Sequence, residues 1–358
     1  MRQSRTELRP GEAALAIERL VVPFGAGPGL TDVSLTVGKG ERVAVVGPSG
    51  VGKTTLLRAI AGLAPITAGR VRVGGRDVTA LKPEERDAVY LHQSPVLFSH
   101  LTVAENVAFP LRVRGRRGRD VQQRVHEALG AVRLESFGPR AVRTLSGGQR
   151  HRVALARSIA ARPAALLLDE PLSALDPSLR DEVRSAIVAA QNEYEPGALL
   201  VTHDLDDAGL LADRIAVLLD GGIAQVAPPA ELFARPQSLA VARFLGIFQE
   251  MEGCAGEDGE VACALGILAA GQRVPQGPVA VVFRPDAIRI GPVRPGAPAA
   301  RVVAVRQRVR STSLVLHVGE NANSARVEAT VLPGGAVAAV GAEVGVVIDP
   351  DGVLMFPT

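Results

Sequence analysis

A glycine-rich run near the N-terminus fills every fixed position of the phosphate-binding pattern G-x-x-x-x-G-K-[ST]. The run consists of Gly47, Pro48, Ser49, Gly50, Val51, Gly52, Lys53 and Thr54, followed by Thr55. The apolar segment before the run, Arg42–Val46, predicts a buried strand, and residues 55–62 predict a helix that ends at a glycine. A strand, a loop and a helix in this order predict an α/β fold built around a nucleoside triphosphate site.

The residue types in this run suit a polyphosphate. Glycines let backbone N–H groups turn towards phosphate oxygens, and the N-terminus of the following helix adds a partial positive charge. We expect Lys53 to reach the β- and γ-phosphates and Thr54 to bind Mg²⁺. The alternative, a chance glycine-rich turn, does not account for the flanking strand and helix.

Length and composition limit the classes of protein. The 358 residues exceed one ordinary core, so two domains are expected, and 47% hydrophobic residues indicate a globular chain. The net charge of +3 does not indicate nucleic-acid binding. We find no apolar stretch of about 18 residues and no signal peptide, and therefore expect a cytosolic chain.

Cys254 and Cys263 predict two free thiols, with a structural disulfide as the alternative.

A second acidic segment complements the phosphate loop. Residues 165–170 form an apolar run that ends in Asp169 and Glu170, which predicts a parallel strand whose carboxyl end opens on the loop. We expect Asp169 to hold Mg²⁺ through its water shell and Glu170 to act as the general base on the attacking water. In isolation, the same run would indicate only a strand that enters a solvated turn.

A serine and glycine run lies between these two segments. Ser146, Gly147, Gly148 and Gln149 predict the start of a helix over residues 150–161, with Ser146 at the N-cap. The glycines and the helix dipole would form a second phosphate-binding surface. One phosphate group seldom needs two such surfaces from one chain. We therefore expect a head-to-tail dimer, in which the phosphate loop of one copy faces this run of the other across a shared ATP.

Together these motifs resemble the ATP-binding subunits of ABC transporters over nearly the whole chain. In that family, the run at 145–149 is the signature motif and Asp176 lies in the D-loop. The resemblance implies that Gln93 is the Q-loop glutamine, which senses Mg²⁺, water and the membrane partner. It also implies that His203 is the switch histidine, which emerges at a strand end and hydrogen-bonds the γ-phosphate.

Two positions depart from the residues usual in that family. Phe24 stands where a Tyr usually stacks on adenine; we expect Phe24 to stack in its place, with a core position as the alternative. His92 stands before Gln93, where the family often has Phe, and this change affects packing against the membrane partner.

The sequence pattern divides the chain into two predicted domains. Residues 14–245 predict a P-loop ABC ATPase domain with a helical subdomain at about 94–165, which by resemblance docks a permease. Residues 246–358 form short alternating segments, which predict a small all-β barrel of the oligonucleotide/oligosaccharide-binding (OB) kind. This barrel resembles the regulatory domains of importer ATPases for sugars, polyamines, ferric iron and oxyanions. Because it has few aromatics, it does not indicate nucleic-acid binding.

For two segments of the helical subdomain, the sequence is compatible with more than one role. Residues 96–98 and 107–111 are apolar and would either contact the permease or fill the core. The arginine-rich run at 112–119 would either touch lipid head groups or nucleic acid, or form a solvated loop, which its glycines favour.

The leading hypothesis is the ATP-hydrolysing subunit of a membrane solute importer. Two copies would bind ATP and Mg²⁺ and drive integral membrane permease subunits, with an extracytoplasmic solute-binding protein taking part indirectly and no nucleic acid. The chain would lie peripherally on the cytoplasmic face of the plasma (inner) membrane. The alternative is a soluble ABC ATPase that acts on a macromolecular assembly without a permease. The sequence does not indicate the solute.

Overall fold

The computed structural model describes residues 13–24, 27–94, 96–173, 175–269, 274–294, 298–308, 311–319, 324–335 and 337–358. The chain divides into two compact units, Met1–Leu232 and Phe233–Thr358. The strands described in the first unit are β1 (Leu15–Phe24), β2 (Gly27–Val37), β3 (Arg42–Val46), β4 (Ala68–Val73), β5 (Arg76–Asp77), β6 (Ala88–Leu91), β7 (Ala165–Asp169), β8 (Gly197–Val201), β9 (Arg214–Leu219) and β10 (Gly222–Ala227). The α-helices among the described residues of both units are α1 (Lys53–Ile60), α2 (Val103–Val113), α3 (Arg119–Ala131), α4 (Gly147–Ala160), α5 (Pro177–Tyr194), α6 (Leu205–Leu211), α7 (Pro229–Ala234) and α8 (Leu239–Leu245).

A six-stranded sheet forms the centre of the first unit. Its strand order is β10-β9-β3-β8-β7-β6, and every neighbouring pair except β10 and β9 is parallel. Val201 of β8 pairs with Val45 of β3 on one side and with Asp169 of β7 on the other. The carboxyl ends of these three strands therefore meet at one edge of the sheet, where α/β proteins bind their ligands.

A separate four-stranded antiparallel sheet, in the order β2-β1-β4-β5, accompanies the parallel sheet. The two sheets and α1 share one core, in which Leu20, Val45, Leu57 and Ile60 are almost fully buried. The sequence pattern does not indicate this second sheet. Its functional consequence is that the end of β1 places Phe24 at the surface.

Helices α2, α3 and α4 form the predicted helical region. Thr102 caps α2: its hydroxyl accepts a hydrogen bond from the N–H of Glu105, whose carboxylate accepts one from the N–H of Thr102. The apolar run at 107–111 divides between the two expected roles. Val107 and Leu111 are buried, whereas Phe109 is exposed and stacks on Phe98 at 4.4 Å between ring centroids.

The arginine-rich run at 112–119 spans the end of α2 and the start of α3. Arg114 forms an ion pair with Asp87 at 3.3 Å, and Arg116 forms one with Asp120 at 3.1 Å. These exposed pairs contribute little stability, and they neutralise part of the local positive charge. In the part of the chain that the structure describes, we find no helix long and apolar enough to span a membrane.

The second unit contains two antiparallel five-stranded sheets. Its described strands are β11 (Gln249–Ala255), β12 (Glu260–Cys263), β13 (Gly266–Ala269), β14 (Gly277–Phe283), β15 (Ile288–Gly291), β16 (Ala299–Gln307), β17 (Thr312–Val318), β18 (Ala325–Val331), β19 (Glu343–Ile348) and β20 (Val353–Pro357). The sheet orders are β13-β12-β11-β14-β20 and β15-β19-β16-β17-β18, and side chains from both sheets share one core. The prediction of a small all-β domain is confirmed, as two sheets over a common core.

The division between the units lies before the predicted boundary at residue 245. Ala242 of α8 packs with Ala280 and Val282 of β14, so this helix belongs to the second unit.

Both cysteines are free, as predicted. The register explains why: Gly253 pairs with Cys263, so Cys254, the next residue along β11, points to the opposite face of the sheet.

A candidate nucleotide site at the edge of the parallel sheet

The phosphate loop joins β3 directly to α1. The helix begins at Lys53, two residues before the predicted start, because Gly52 serves as its N-cap with a φ of 107°. A Cβ added at Gly52 would lie 2.8 Å from the side chain of Leu30, and one added at Gly47 would lie 2.3 Å from the carbonyl oxygen of Leu218. Gly47 therefore requires glycine for space, because its close neighbour is a backbone atom, and Gly52 requires glycine for its backbone conformation.

The side chain of Lys53 folds back onto the phosphate loop. Its ammonium donates hydrogen bonds to the carbonyl oxygens of Gly47 at 2.8 Å and Pro48 at 2.9 Å. Burial lowers the pKa of Lys53, whereas the negative charges of Glu170 and Asp169 oppose this shift. A buried cation beside two carboxylates is suited to a strongly anionic ligand, because it is poorly solvated and lies close to the phosphate loop.

The Asp169 carboxylate is held at both of its oxygens. The hydroxyl of Thr54 donates to Oδ1 at 3.0 Å, and the hydroxyl of Tyr90 donates to Oδ2 at 2.7 Å. Asp169 is buried at the end of β7. Burial and the adjacent carboxylate raise the pKa of Tyr90, so its hydroxyl remains a neutral donor. The structure thus joins Thr54 and Asp169, two of the three residues predicted at the Mg²⁺ site.

These residues fit a magnesium ion. Thr54, Asp169 and Gln93 all offer oxygen atoms, the ligand type that Mg²⁺ prefers. Among the described residues, no group of three or more histidine, cysteine, aspartate or glutamate side chains is arranged for a metal. A site with few protein oxygens matches the usual mode of Mg²⁺, which retains water and takes further oxygens from phosphates.

Glu170 and His203 meet at the ends of β7 and β8. Nδ1 of His203 lies 2.8 Å from Oε1 of Glu170, and the His203 side chain is 65% exposed, against 13% for Glu170. Glu170 has a φ of 49°, in the left-handed region that disfavours residues with a side chain. Its N–H donates to the carbonyl oxygen of Val201 at 2.9 Å, which holds this turn in place.

The second carboxylate oxygen of Glu170, Oε2, differs from the first in its surroundings. Oε2 is buried and accepts no hydrogen bond from the described part of the chain. Buried carboxylate oxygens are normally satisfied, and an unsatisfied one in a site suits a general base whose remaining partner is a substrate or water.

Gln93 connects to this turn through Ser173. The Gln93 side-chain amide donates to the Ser173 hydroxyl at 3.3 Å, and that hydroxyl donates to the backbone carbonyl of Glu170 at 3.1 Å. Gln93 itself is exposed. Gln93 therefore lies near the acidic strand end, and it connects to the backbone of Glu170 only through Ser173.

Ser146 caps α4 as predicted. Its hydroxyl accepts from the N–H of Gln149 at 3.3 Å, and its own N–H donates to the Gln149 side chain at 3.0 Å. The helix starts at Gly147 and not at residue 150, because this capping box draws both glycines into the first turn. Gly148 packs closely on Leu179, whereas a Cβ at Gly147 would meet nothing within 4 Å. An open helix N-terminus therefore faces outwards at Gly147.

The two remaining predicted positions are exposed. Phe24 is 46% exposed, which excludes the core alternative and leaves the ring accessible to a base. Asp176 is exposed at the start of α5, where its carbonyl oxygen accepts from the N–H groups of Leu179 and Arg180. Ala174 of the D-loop lies outside the described residues.

Sequence reasoning missed two residues at this site, Tyr90 and His151. Tyr90 holds Asp169, as described above. His151 of α4 is buried and donates a ring N–H to the backbone carbonyl of Pro171, since proline has no N–H to give. This bond ties α4 to the turn that carries Glu170. For Tyr90, the available signal in the sequence was a tyrosine on the strand next to the acidic strand. For His151, the sequence contained no signal beyond its position on α4.

Comparisons with known proteins agree with this geometry. The ABC transporter family model matches residues 30–173. The Fe(3+) ions import ATP-binding protein FbpC 1 of Rhizobium meliloti (strain 1021) is 40% identical over 297 residues, which cover 82% of this chain and 84% of that protein. The sulfate/thiosulfate import ATP-binding protein CysA 1 of Chromobacterium violaceum is 41% identical over 297 residues, 82% of this chain and 83% of that protein.

A solved structure is also similar. It is the dimeric structure of a post-hydrolysis state of the ATP-binding cassette MJ0796 bound to ADP and Pi, and it is 29% identical to this chain. It aligns with a TM-score of 0.54 and covers 60% of this chain and 98% of its own. The match therefore extends over an entire ATP-binding cassette.

Proposed function

The chain belongs to the ABC transporter family, as the ATP-hydrolysing subunit of an import system, and from that premise we propose that it works as a homodimer that drives membrane permease subunits. Three strand ends support the ATP hydrolysis on which this proposal rests: β3 leads to Lys53, β7 ends at Asp169 just before Glu170, and β8 leads to His203. One edge of the sheet thus brings together a lysine and two carboxylates, which we assign to the phosphates, the metal and the attacking water. This combination is the one that phosphoryl transfer to water requires.

Within one copy, Lys53 and the backbone N–H groups of the loop would bind the β- and γ-phosphates. Thr54, Asp169 and Gln93 would hold Mg²⁺, which when bound neutralises part of the charge on the phosphates. The carboxylate of Glu170 would orient a water molecule and accept its proton through an oxygen atom. His203, 2.8 Å from Glu170, would hold the carboxylate and contact the γ-phosphate.

The second half of the site would come from the other copy. The outward-facing N-terminus of α4, with Ser146 and Gly147, offers N–H groups and a partial positive charge that its own phosphate loop does not need. We expect this surface and Asp176 to face the ATP bound by the partner. The similar cassette structure, which is a dimer bound to ADP and Pi, supports a dimeric arrangement.

The proposed membrane partners of the chain are inferred from the names of its two relatives. Both relatives above are named as import ATP-binding proteins, so we propose integral membrane permease subunits as direct partners and a solute-binding protein as an indirect one. The chain would lie on the cytoplasmic face of the membrane, without nucleic acid as a ligand. An assembly without a permease is not favoured by these relatives.

The transported solute remains open in this proposal. A protein named for Fe(3+) and one named for sulfate or thiosulfate are 40% and 41% identical to the chain, so similarity alone does not select a cation or an oxyanion. We propose that the permease and the solute-binding protein select the solute, and that the nucleotide site takes no part in this selection.

Co-expression with candidate permease subunits tests this function. We expect the chain to copurify with them and to hydrolyse ATP in reconstituted vesicles, faster when the correct solute is present. A radiolabelled uptake panel would then identify the solute. ATPase activity without any membrane partner, together with copurification of a ribosomal or DNA-bound assembly, would support the alternative.

A further inference from the structure

We propose that Tyr90 is a positioning residue for the metal, because it fixes the Asp169 carboxylate so that a single oxygen is offered to Mg²⁺. This inference rests on the proposed function, in which Asp169 and Thr54 bind the metal of Mg–ATP. Tyr90 does not touch the reacting atoms, and it acts only through the carboxylate that it holds.

The hydrogen bonds of Asp169 carry the inference. Tyr90 donates to Oδ2 at 2.7 Å, and Thr54, a predicted metal ligand, donates to Oδ1 at 3.0 Å. The two carboxylate oxygens therefore have distinct environments: Oδ1 lies beside the hydroxyl that would share the metal, and Oδ2 is engaged by a phenol. Rotation of the carboxylate would break the bond to Tyr90 in a buried place, where an unsatisfied acceptor is costly.

The position of Tyr90 is itself well fixed. Its backbone lies in β6, where it pairs with Leu167 of β7, two residues before Asp169. Its ring packs on that of His92, with 4.3 Å between centroids. Strand pairing and ring contact both restrict the phenol, so the Tyr90 hydroxyl serves as a stable reference point for the carboxylate.

A carboxylate restricted in this way discriminates between metal ions. Mg²⁺ is small, requires near-octahedral geometry and retains several of its waters, whereas Ca²⁺ accepts its oxygen ligands in flexible geometry. Because Tyr90 engages Oδ2, Asp169 presents only Oδ1, in a fixed position, to the water shell of the metal. A fixed oxygen matters more to an ion that requires strict geometry than to one that adapts to its ligands. We therefore expect Tyr90 to favour Mg²⁺ over Ca²⁺ at the nucleotide site.

Tyr90→Phe tests the role, since it removes one oxygen atom and keeps the ring. The variant is made in a Glu170→Gln background, so that ATP persists during the measurement. Binding of a fluorescent ATP analogue is followed while free Mg²⁺ is varied, then repeated with Ca²⁺, and finally in EDTA. Loss of a hydrogen bond to a metal-binding carboxylate typically weakens metal affinity by about tenfold.

We expect the half-saturating concentration of Mg²⁺ to rise about tenfold, that of Ca²⁺ to rise less, and nucleotide affinity in EDTA to change less than about twofold. The matched control is Tyr194→Phe, at the chain's other tyrosine, which ends α5 and should leave all three values unchanged. Tyr90→Met, which keeps apolar bulk without a hydroxyl, should repeat the shift even if the phenylalanine variant folds poorly.

An unchanged Mg²⁺ requirement in folded Tyr90→Phe would overturn the inference, as would an equal loss of affinity for Ca²⁺ or an equal loss in EDTA. An equal loss in EDTA would mean that Tyr90 only shapes the loop. Failure of the proposed function looks different: in that case the Glu170→Gln protein with Tyr90 intact would itself show no nucleotide binding that depends on Mg²⁺.

Discussion

Nδ1 of His203 lies 2.8 Å from Oε1 of Glu170, and this contact joins the ends of two parallel strands that are neighbours in the sheet. Oε2 of Glu170 is buried and accepts no hydrogen bond from the described residues. One oxygen of the carboxylate is thus held, and the other is left for a ligand. This arrangement suits the role that we propose for Glu170, in which one oxygen orients the carboxylate and the other accepts a proton.

Glu170→Gln should therefore keep ATP binding and lower turnover by about 10²-fold or more, because the amide cannot accept the proton of the attacking water. We also expect ATP to trap the variant as a closed dimer, which size-exclusion chromatography detects. Glu231→Gln, an exposed change in α7, is the control and should hydrolyse ATP normally. Wild-type turnover in Glu170→Gln would show that another group is the base.

Lys53→Ala should act on binding and not only on turnover. Lys53 is the buried cation of the loop, and its removal leaves the phosphates without their point charge. We expect nucleotide affinity, measured by equilibrium binding in the absence of hydrolysis, to fall at least about tenfold. Lys39→Ala, at an exposed lysine, should bind nucleotide as the wild type does. Equal affinity in the two variants would contradict the assignment of Lys53.

The sequence predicted the strand ends of this site well. Arg42–Val46 was predicted as a strand and has those bounds as β3, because a short apolar run before a glycine loop has few other structures available. The predicted start of α4 at residue 150 was wrong. Adjacent glycines suggest a loop, but the capping box of Ser146 and Gln149 places Gly147 and Gly148 in the first turn of the helix.

Contacts between segments distant in sequence were not predictable. Tyr90 and Asp169 are 79 positions apart, and their hydrogen bond depends on the pairing of β6 with β7. The bond between His151 and the carbonyl of Pro171 likewise depends on how α4 packs against the turn after β7. Periodicity and motifs locate elements along the chain, but they do not specify which side chains meet between elements.

His151 should make folding stability depend on pH. Burial lowers its pKa below the ordinary value of 6.5, so the folded chain holds this proton less readily than the unfolded chain. Its stabilising contribution is complete above about pH 6.5 and is lost as the pH falls through the folded pKa. We expect His151→Gln to lose less melting temperature than the wild type between pH 7.5 and pH 5.5, whatever its absolute stability.

The exposed His126 of α3 provides the control for this measurement, and His126→Gln should follow the wild type over the same range. Thermal unfolding by circular dichroism at several pH values is sufficient. If His151→Gln and the wild type lose the same melting temperature on acidification, then His151 is not the source of this pH dependence.

A shared active site predicts that two inactive variants complement each other. Lys53→Ala removes the phosphate cation from one half of a site, and Ser146→Arg places a bulky side chain on the exposed N-cap of α4 in the other half. In a heterodimer of the two, both lesions fall in one composite site and the second site is intact. We expect ATPase activity to return in mixtures of differently tagged subunits, purified through both tags. Each variant alone should remain inactive. If doubly tagged dimers are as inactive as their parents, either the head-to-tail arrangement is wrong or both sites must hydrolyse ATP together.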